Sequence, residues 1–94
     1  MPIQTHPARA RVQEIADMHD EEVILIDGHD DAIIGTGDAG GLRVFYSIEK
    51  IIKTLMKRDG MSHEEASEFF SYNIERAFSS MSKGSPIFIE PLQP

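Results

Sequence analysis

The segment from Ser47 to Phe78 constrains this chain more than any other. Ile48, Ile51, Ile52, Leu55 and Met56 recur at i, i+3, i+4, i+7 and i+8, the spacing of one apolar helical face. Ser47 stands where an N-cap is needed, since its hydroxyl can accept from a first-turn N–H. Asp59-Gly60 stops the helix, because glycine takes the left-handed conformation beyond a helix end without a Cβ penalty. Ser62 and Glu65 then have the spacing of a capping box and open a second helix. Its apolar face reads Ala66, Phe69, Phe70, Ile74, Ala77 and Phe78. Only three residues (Gly60, Met61 and Ser62) join the two elements, which predicts a helical hairpin.

The flanking sequence has a shorter period. Residues 22–27, E-V-I-L-I-D, form a β-branched apolar run whose length and following glycine predict a buried strand. Residues 32–36 and 42–46 make two more runs. The first connection carries the Asp27-Gly28 pair favoured in hairpin turns, and the second is glycine-rich at 37–41. Residues 87–89, I-F-I, read as a last strand, and Pro86 and Pro91 around it favour an edge position or a strand start. Ala8, Val12, Ile15, Ala16 and His19 predict a short helix over 8–19. The order α-β-β-β-α-α-β predicts an α+β domain. It would hold a three-stranded antiparallel meander plus a C-terminal strand, with the helices packed on one face. Residues 1–7, with Pro2 and Pro7, read as a flexible arm, and 8–94 as one domain.

Charge is placed unevenly. The chain of 94 residues carries sixteen Asp plus Glu against nine Lys plus Arg, a net charge of −7. No Lys or Arg falls between Arg11 and Arg43. That interval holds nine acids: Glu14, Asp17, Asp20, Glu21, Glu22, Asp27, Asp30, Asp31 and Asp38. Such a chain argues against direct binding to nucleic acid or an anionic membrane, which needs a basic surface. No apolar run approaches the roughly 20 residues of a membrane span. The N-terminus lacks a charged-then-apolar signal pattern, so a cytoplasmic location is expected. There is no cysteine, which removes disulfides, thiol nucleophiles and Cys-type zinc sites. A chain this small buries only roughly 60–65% of its unfolded surface, which leaves homo-oligomerisation open.

Residues 26–38, I-D-G-H-D-D-A-I-I-G-T-G-D, hold the candidate site. Asp27, His29, Asp30 and Asp31 are hard ligands, yet the spacing does not match a calcium loop and no glutamate closes it. Adjacent Asp30 and Asp31 would point to opposite faces of a strand. The competing reading is that Asp27 and Asp30 bond nearby backbone N–H groups in a turn. The segment G-T-G-D-A-G-G leads into a strand and lacks the Walker lysine, so it is not a phosphate loop. No nucleophile elbow, zincin or deaminase motif is present. No catalytic residue, metal or cofactor is therefore assigned. Lys50, Lys53 and Lys57 share one helical face that reads as solvated. Tyr72 lies off the apolar face, whereas Asn73 falls among the expected core positions and would need partners there.

Three stretches together resemble a family of small proteins encoded by bacteriophages and prophages. They are D-G-H-D-D-A-I-I-G at 27–35, F-Y-S-I-E-K through R-D-G-M-S-H-E-E-A to Asn73 at 45–74, and S-P-I-F-I at 85–89. The resemblance spans roughly residues 22–90. It implies a setting, the cytoplasm of a phage-infected bacterium, rather than a mechanism. Asp27, Gly28, Asp30, Asp31, Ala32, Asp59, Gly60 and Asn73 match the family pattern. His29 stands where that pattern has an aromatic, which speaks against histidine chemistry.

The expected function is a non-enzymatic, acidic protein-binding module. It would dock on a basic surface of a host or phage protein and inhibit a nucleic-acid-binding or defence protein. Asp27, Asp30, Asp31, Asp38 and Asn73 are the candidate binding residues. The alternatives are a small-ligand, nucleotide or metal-binding protein, up to a hydrolase, built on Asp27, Asp30 and Asp31, or a phage structural or assembly protein.

Overall fold

The computed structural model describes residues 5–78 and 82–92. Helix α1 spans Pro7–Met18, with the ring of Pro7 in the first turn, where a missing N–H costs nothing. Of the arm expected over 1–7, residues 1–4 lie outside the described residues, whereas His6 caps α1 and Pro7 opens it. A tight turn at Asp27-Gly28, with Gly28 at φ 85°, leads into a single 3₁₀ turn at Asp30–Ala32. Strand β1 (Ile33–Asp38) and strand β2 (Leu42–Ser47) follow as an antiparallel hairpin with a bulge between Ile33 and Gly35. Helix α2 is Ile48–Asp59 and helix α3 is His63–Phe69. A π-helical turn at Phe70–Glu75 continues α3, and strand β3 is Ile87–Ile89.

The fold class is as expected, α+β, with a corrected sheet. The sheet order is β1-β2-β3, and β3 pairs with β2 in parallel, Phe45 opposite Ile87 and Ser47 opposite Ile89. The sheet is therefore mixed, and β3 takes the edge position that its flanking prolines favour. The expected strand over 22–27 is not a strand. Val23 and Leu25 are half-buried and Ile26 is buried, while Glu22, Ile24 and Asp27 are exposed. The backbone groups of this run find isolated partners instead of a ladder. Ile24 N–H donates to the Gly84 carbonyl at 2.9 Å, and Ile26 N–H to the Tyr46 hydroxyl at 2.9 Å. A β-branched apolar run of this length suits a strand; pairing depends on what lies alongside.

The local signals of the helical hairpin hold. The Ser47 hydroxyl accepts from Lys50 N–H, Gly60 sits at φ 70°, and Ser62 and Glu65 form the reciprocal capping box. Helix α2 packs on β2, α3 packs on α2, and α1 packs against β1 and the 3₁₀ turn. The core joins Val12 and Ile26 to Val44 and Tyr46 of β2, Ile51 and Leu55 of α2, and Ala66, Phe70 and Ile74. Phe88 of β3 closes it, edge-on to Phe70 with ring centroids 5.1 Å apart.

The second helix differs from its expected face. Ala66, Phe70 and Ile74 are buried, but Phe69, Asn73 and Ala77 are exposed. For Asn73 the π turn is the physical reason. Steps of four residues overshoot an α-helical turn of 3.6 residues and fall short of the wider π turn. One of each in succession keeps 66, 70 and 74 in line and moves Asn73 to the flank, where Phe69 already lies by its α-helical spacing from Ala66 and Phe70. The buried Asn73 expected from helical periodicity is thus a surface residue.

Candidate functional site

Three of the five candidate residues converge, and they converge on Arg9 and His6 of the chain itself. Arg9 projects from the first turns of α1 toward the 3₁₀ turn. Its Nε donates to both oxygens of Asp30, at 3.0 and 2.8 Å. Its Nη2 reaches Asp27 Oδ1 at 3.2 Å and the Ile26 carbonyl at 3.4 Å. The Arg9 and Asp30 side chains are only 21% and 20% exposed, whereas Asp27 is 99% exposed. Charge-assisted bonds are stronger when water is partly excluded, so Arg9–Asp30 is the firm contact and Asp27 a rim partner. The Asp30 carboxylate holds the Arg9 guanidinium above its already high ordinary pKa, against the opposing pull of desolvation.

Asp31 is held from the other side. His6 Nδ1 accepts from Ala8 N–H at 3.0 Å, and His6 Nε2 lies 2.6 Å from Asp31 Oδ1. An acceptor at Nδ1 requires its lone pair, so the proton sits on Nε2 and points at the carboxylate. One neutral imidazole thereby caps α1 and ties it to the turn. The 3₁₀ geometry explains how adjacent Asp30 and Asp31 can both face α1, which a strand would forbid.

His29, between these acids, is 5% exposed, and its Nδ1 is buried without a hydrogen-bond partner among the described residues. Burial pushes the imidazole pKa down, and the nearby Arg58 guanidinium adds to that. Arg58 itself donates through Nη1 to the Gly28 carbonyl at 2.8 Å. A Cβ at Gly28 would stand 3.1 Å from that nitrogen, at a φ that side chains rarely adopt. Below the turn, the Tyr46 hydroxyl accepts the Ile26 N–H in full burial, and that burial raises the phenol pKa.

The other two candidates lie apart. Asp38 Oδ1 accepts from Gly41 N–H at 3.1 Å and shapes the β1–β2 turn. Asn73 lines a shallow groove with Met61, Glu65, Glu68, Phe69 and Tyr72. Among the described residues, no group of three or more His, Asp or Glu side chains converges as metal ligands would. Lys50, Lys53 and Lys57 are exposed, and Lys53 pairs with Glu49 of the same helix at 2.9 Å.

Sequence reasoning missed His6 and Arg9 as the partners of the aspartates. A signal existed: they stand three residues apart at the start of a helix and so share a face. Arg9 and Arg11 are also the last Arg or Lys before the long acidic interval.

A second acidic cluster emerges at the opposite end of α1. Helix α1 closes in a Schellman motif: Asp20 N–H bonds the Asp17 carbonyl at 3.1 Å, and Glu21 N–H bonds the Ala16 carbonyl at 3.0 Å. Asp20, at φ 52°, occupies the left-handed position where glycine is usual. Asp17, Asp20, Glu21 and Glu22, with Lys83 and Ala16, line an open cleft of 670 Å³. Glu21 is engaged, its Oε1 accepting Leu42 N–H at 3.3 Å. The side chains of Asp17, Asp20 and Glu22 meet no hydrogen-bond or ion-pair partner among the described residues.

Comparison with protein-family models, curated proteins and solved structures finds no match to this chain. The class that fold and site define is a small mixed-sheet α+β domain with an aspartate-arginine latch on its first helix. No helix among the described residues is long and apolar enough to cross a membrane.

Proposed function

We propose that this protein is an acidic protein-binding module that engages a basic surface of a host or phage protein. One observation carries the reading: carboxylates gather at the C-terminal end of α1, where they are electrostatically misplaced. A helix C-terminus carries partial negative charge, so acids there oppose the dipole by about 0.3–1 kcal/mol each. No basic residue occupies the last turn of α1, and Asp20 adds a left-handed backbone to the cost. Acids set against the dipole, of which Asp17, Asp20 and Glu22 meet no partner among the described residues, have a rationale in binding. A cationic partner would relieve the repulsion and gain fast, selective encounter.

The latch supports the same division of labour. Asp27, Asp30 and Asp31 face His6 and Arg9, so these carboxylates hold α1 in place. That leaves them poorly disposed to coordinate a cation or activate water. Positioned α1 then presents its acidic end. The resemblance to phage proteins supports a setting in the bacterial cytoplasm, with a nucleic-acid-binding or defence protein as the basic partner. Occupying a surface meant for DNA or RNA would inhibit it.

The test is capture from bacterial lysate on immobilised protein over a salt series, beside the variant Asp17→Asn/Asp20→Asn/Glu22→Gln. A basic protein retained at low salt by the parent and lost with the variant supports the reading. Equal retention by both, or none by either, refutes it.

A further inference from the structure

The π turn builds a second surface of different character. Its wide turn carries Asn73 off the core line, on the side of Tyr72, which is 63% exposed, and of Phe69 at the end of α3. Phe69 is 37% exposed, which is unusual for a phenylalanine flanking a core helix. With Met61, Glu65, Glu68 and Asn73 these aromatic residues line a groove of 340 Å³. Isolated π turns inside helices recur at functional sites.

We infer that this groove receives an arginine side chain from a basic, extended segment of the partner. The inference rests on the module reading above and adds the apolar anchor that the acidic cleft lacks. Charge complementarity selects the occupant. A guanidinium can lie flat on an aromatic face while its N–H groups reach a carboxylate, and its stem covers apolar surface. Tyr72 supplies the face and Glu68 the carboxylate, which has no partner among the described residues. Glu65 is committed through Oε1 to the Ser62 N–H, so it adds field rather than a free ligand. Asn73 offers an exposed amide to a passing backbone. The chain already illustrates the contact: the Arg76 guanidinium lies over the Tyr72 ring, 5.1 Å from its centroid. Arg76 is therefore an internal competitor, and an incoming arginine displaces it or takes the opposite face.

Chemical-shift mapping with a short peptide of alternating arginine and glycine, and with its lysine counterpart, tests the site. Shifts should centre on Met61, Glu68, Phe69, Tyr72 and Asn73, and the lysine peptide should bind more weakly. Tyr72→Ala and Glu68→Gln, both at exposed positions and checked for folding by circular dichroism, should each weaken binding about five- to tenfold. Arg76→Ala should strengthen it. Equal binding of both peptides, no shifts at the groove, or weaker binding by Arg76→Ala overturns the inference. Concentration-dependent shifts there without peptide also overturn it, since they mean a second copy fills the groove. Shifts confined to Asp17, Asp20 and Glu22 sink the groove alone, and loss of lysate capture separately sinks the module reading.

Discussion

Removing Arg9 tests the latch most sharply. In Arg9→Ala, the carboxylate of Asp30, 20% exposed, loses both of its short hydrogen bonds, and Asp27 and the Ile26 carbonyl lose theirs. Exposed ion pairs contribute about 0–1 kcal/mol, and breaking a fully buried pair costs about 3–5 kcal/mol. Four-fifths burial places this contact between those limits, so a loss of about 2 kcal/mol is expected. For a domain of this size, that lowers Tm by about 8–16 °C. The double-mutant cycle with Asp30→Asn should return a coupling of about 1–2 kcal/mol. Asp27→Asn, at a 99% exposed site, should change stability by no more than about 0.5 kcal/mol. Urea unfolding with a common m-value supplies the free energies, and thermal melts supply the Tm shift. Single losses below about 0.5 kcal/mol, or an Asp27→Asn loss equal to that of Asp30→Asn, would refute the reasoning.

Further outcomes follow from the same geometry. Asp20→Asn removes one charge opposing the α1 dipole and should stabilise by about 0.3–0.5 kcal/mol in thermal melts; Asp20→Gly, which also relieves the left-handed backbone, should do at least as well, and a destabilised Asp20→Gly would contradict the Schellman geometry. Tyr46→Phe leaves the buried Ile26 N–H without its acceptor and should cost about 1–3 kcal/mol by urea titration, whereas a neutral result would mean the bond is dispensable. His29, held below its ordinary value near 6.5 by burial, binds fewer protons folded than unfolded. Stability should therefore be full above pH 6.5 and decline as pH falls from there toward the folded pKa, with the slope flattened in His29→Phe.

The helical hairpin was legible because its signals are local. The Ser47 cap, the Gly60 stop and the Ser62–Glu65 box each depend on residues within one turn, and each formed as read. The run at 22–27 was read as a strand and forms none, because Tyr46 and Gly84, distant in sequence, supply its partners in place of a ladder. The π turn carries no residue signature, and its one widened turn was enough to bring Asn73 out of the core. At the candidate site, the unusual concentration of aspartates was visible, and its partners were not. Asp30 and Asp31 meet Arg9 and His6 across more than twenty residues of sequence separation. The acidic end of α1 was visible as charge, while its defiance of the dipole needed the helix boundary and the conformation of Asp20.

The salt dependence of partner binding tests the central claim most directly. For the basic protein captured from lysate, log Kd is measured against log salt with the parent, with Asp17→Asn/Asp20→Asn/Glu22→Gln, and with Asp27→Asn/Asp31→Asn. The parent should give a steep slope, the α1-end variant a flattened one, and the variant of the exposed latch aspartates no change. A slope flattened by the latch variant and untouched by the α1-end variant would contradict the claim.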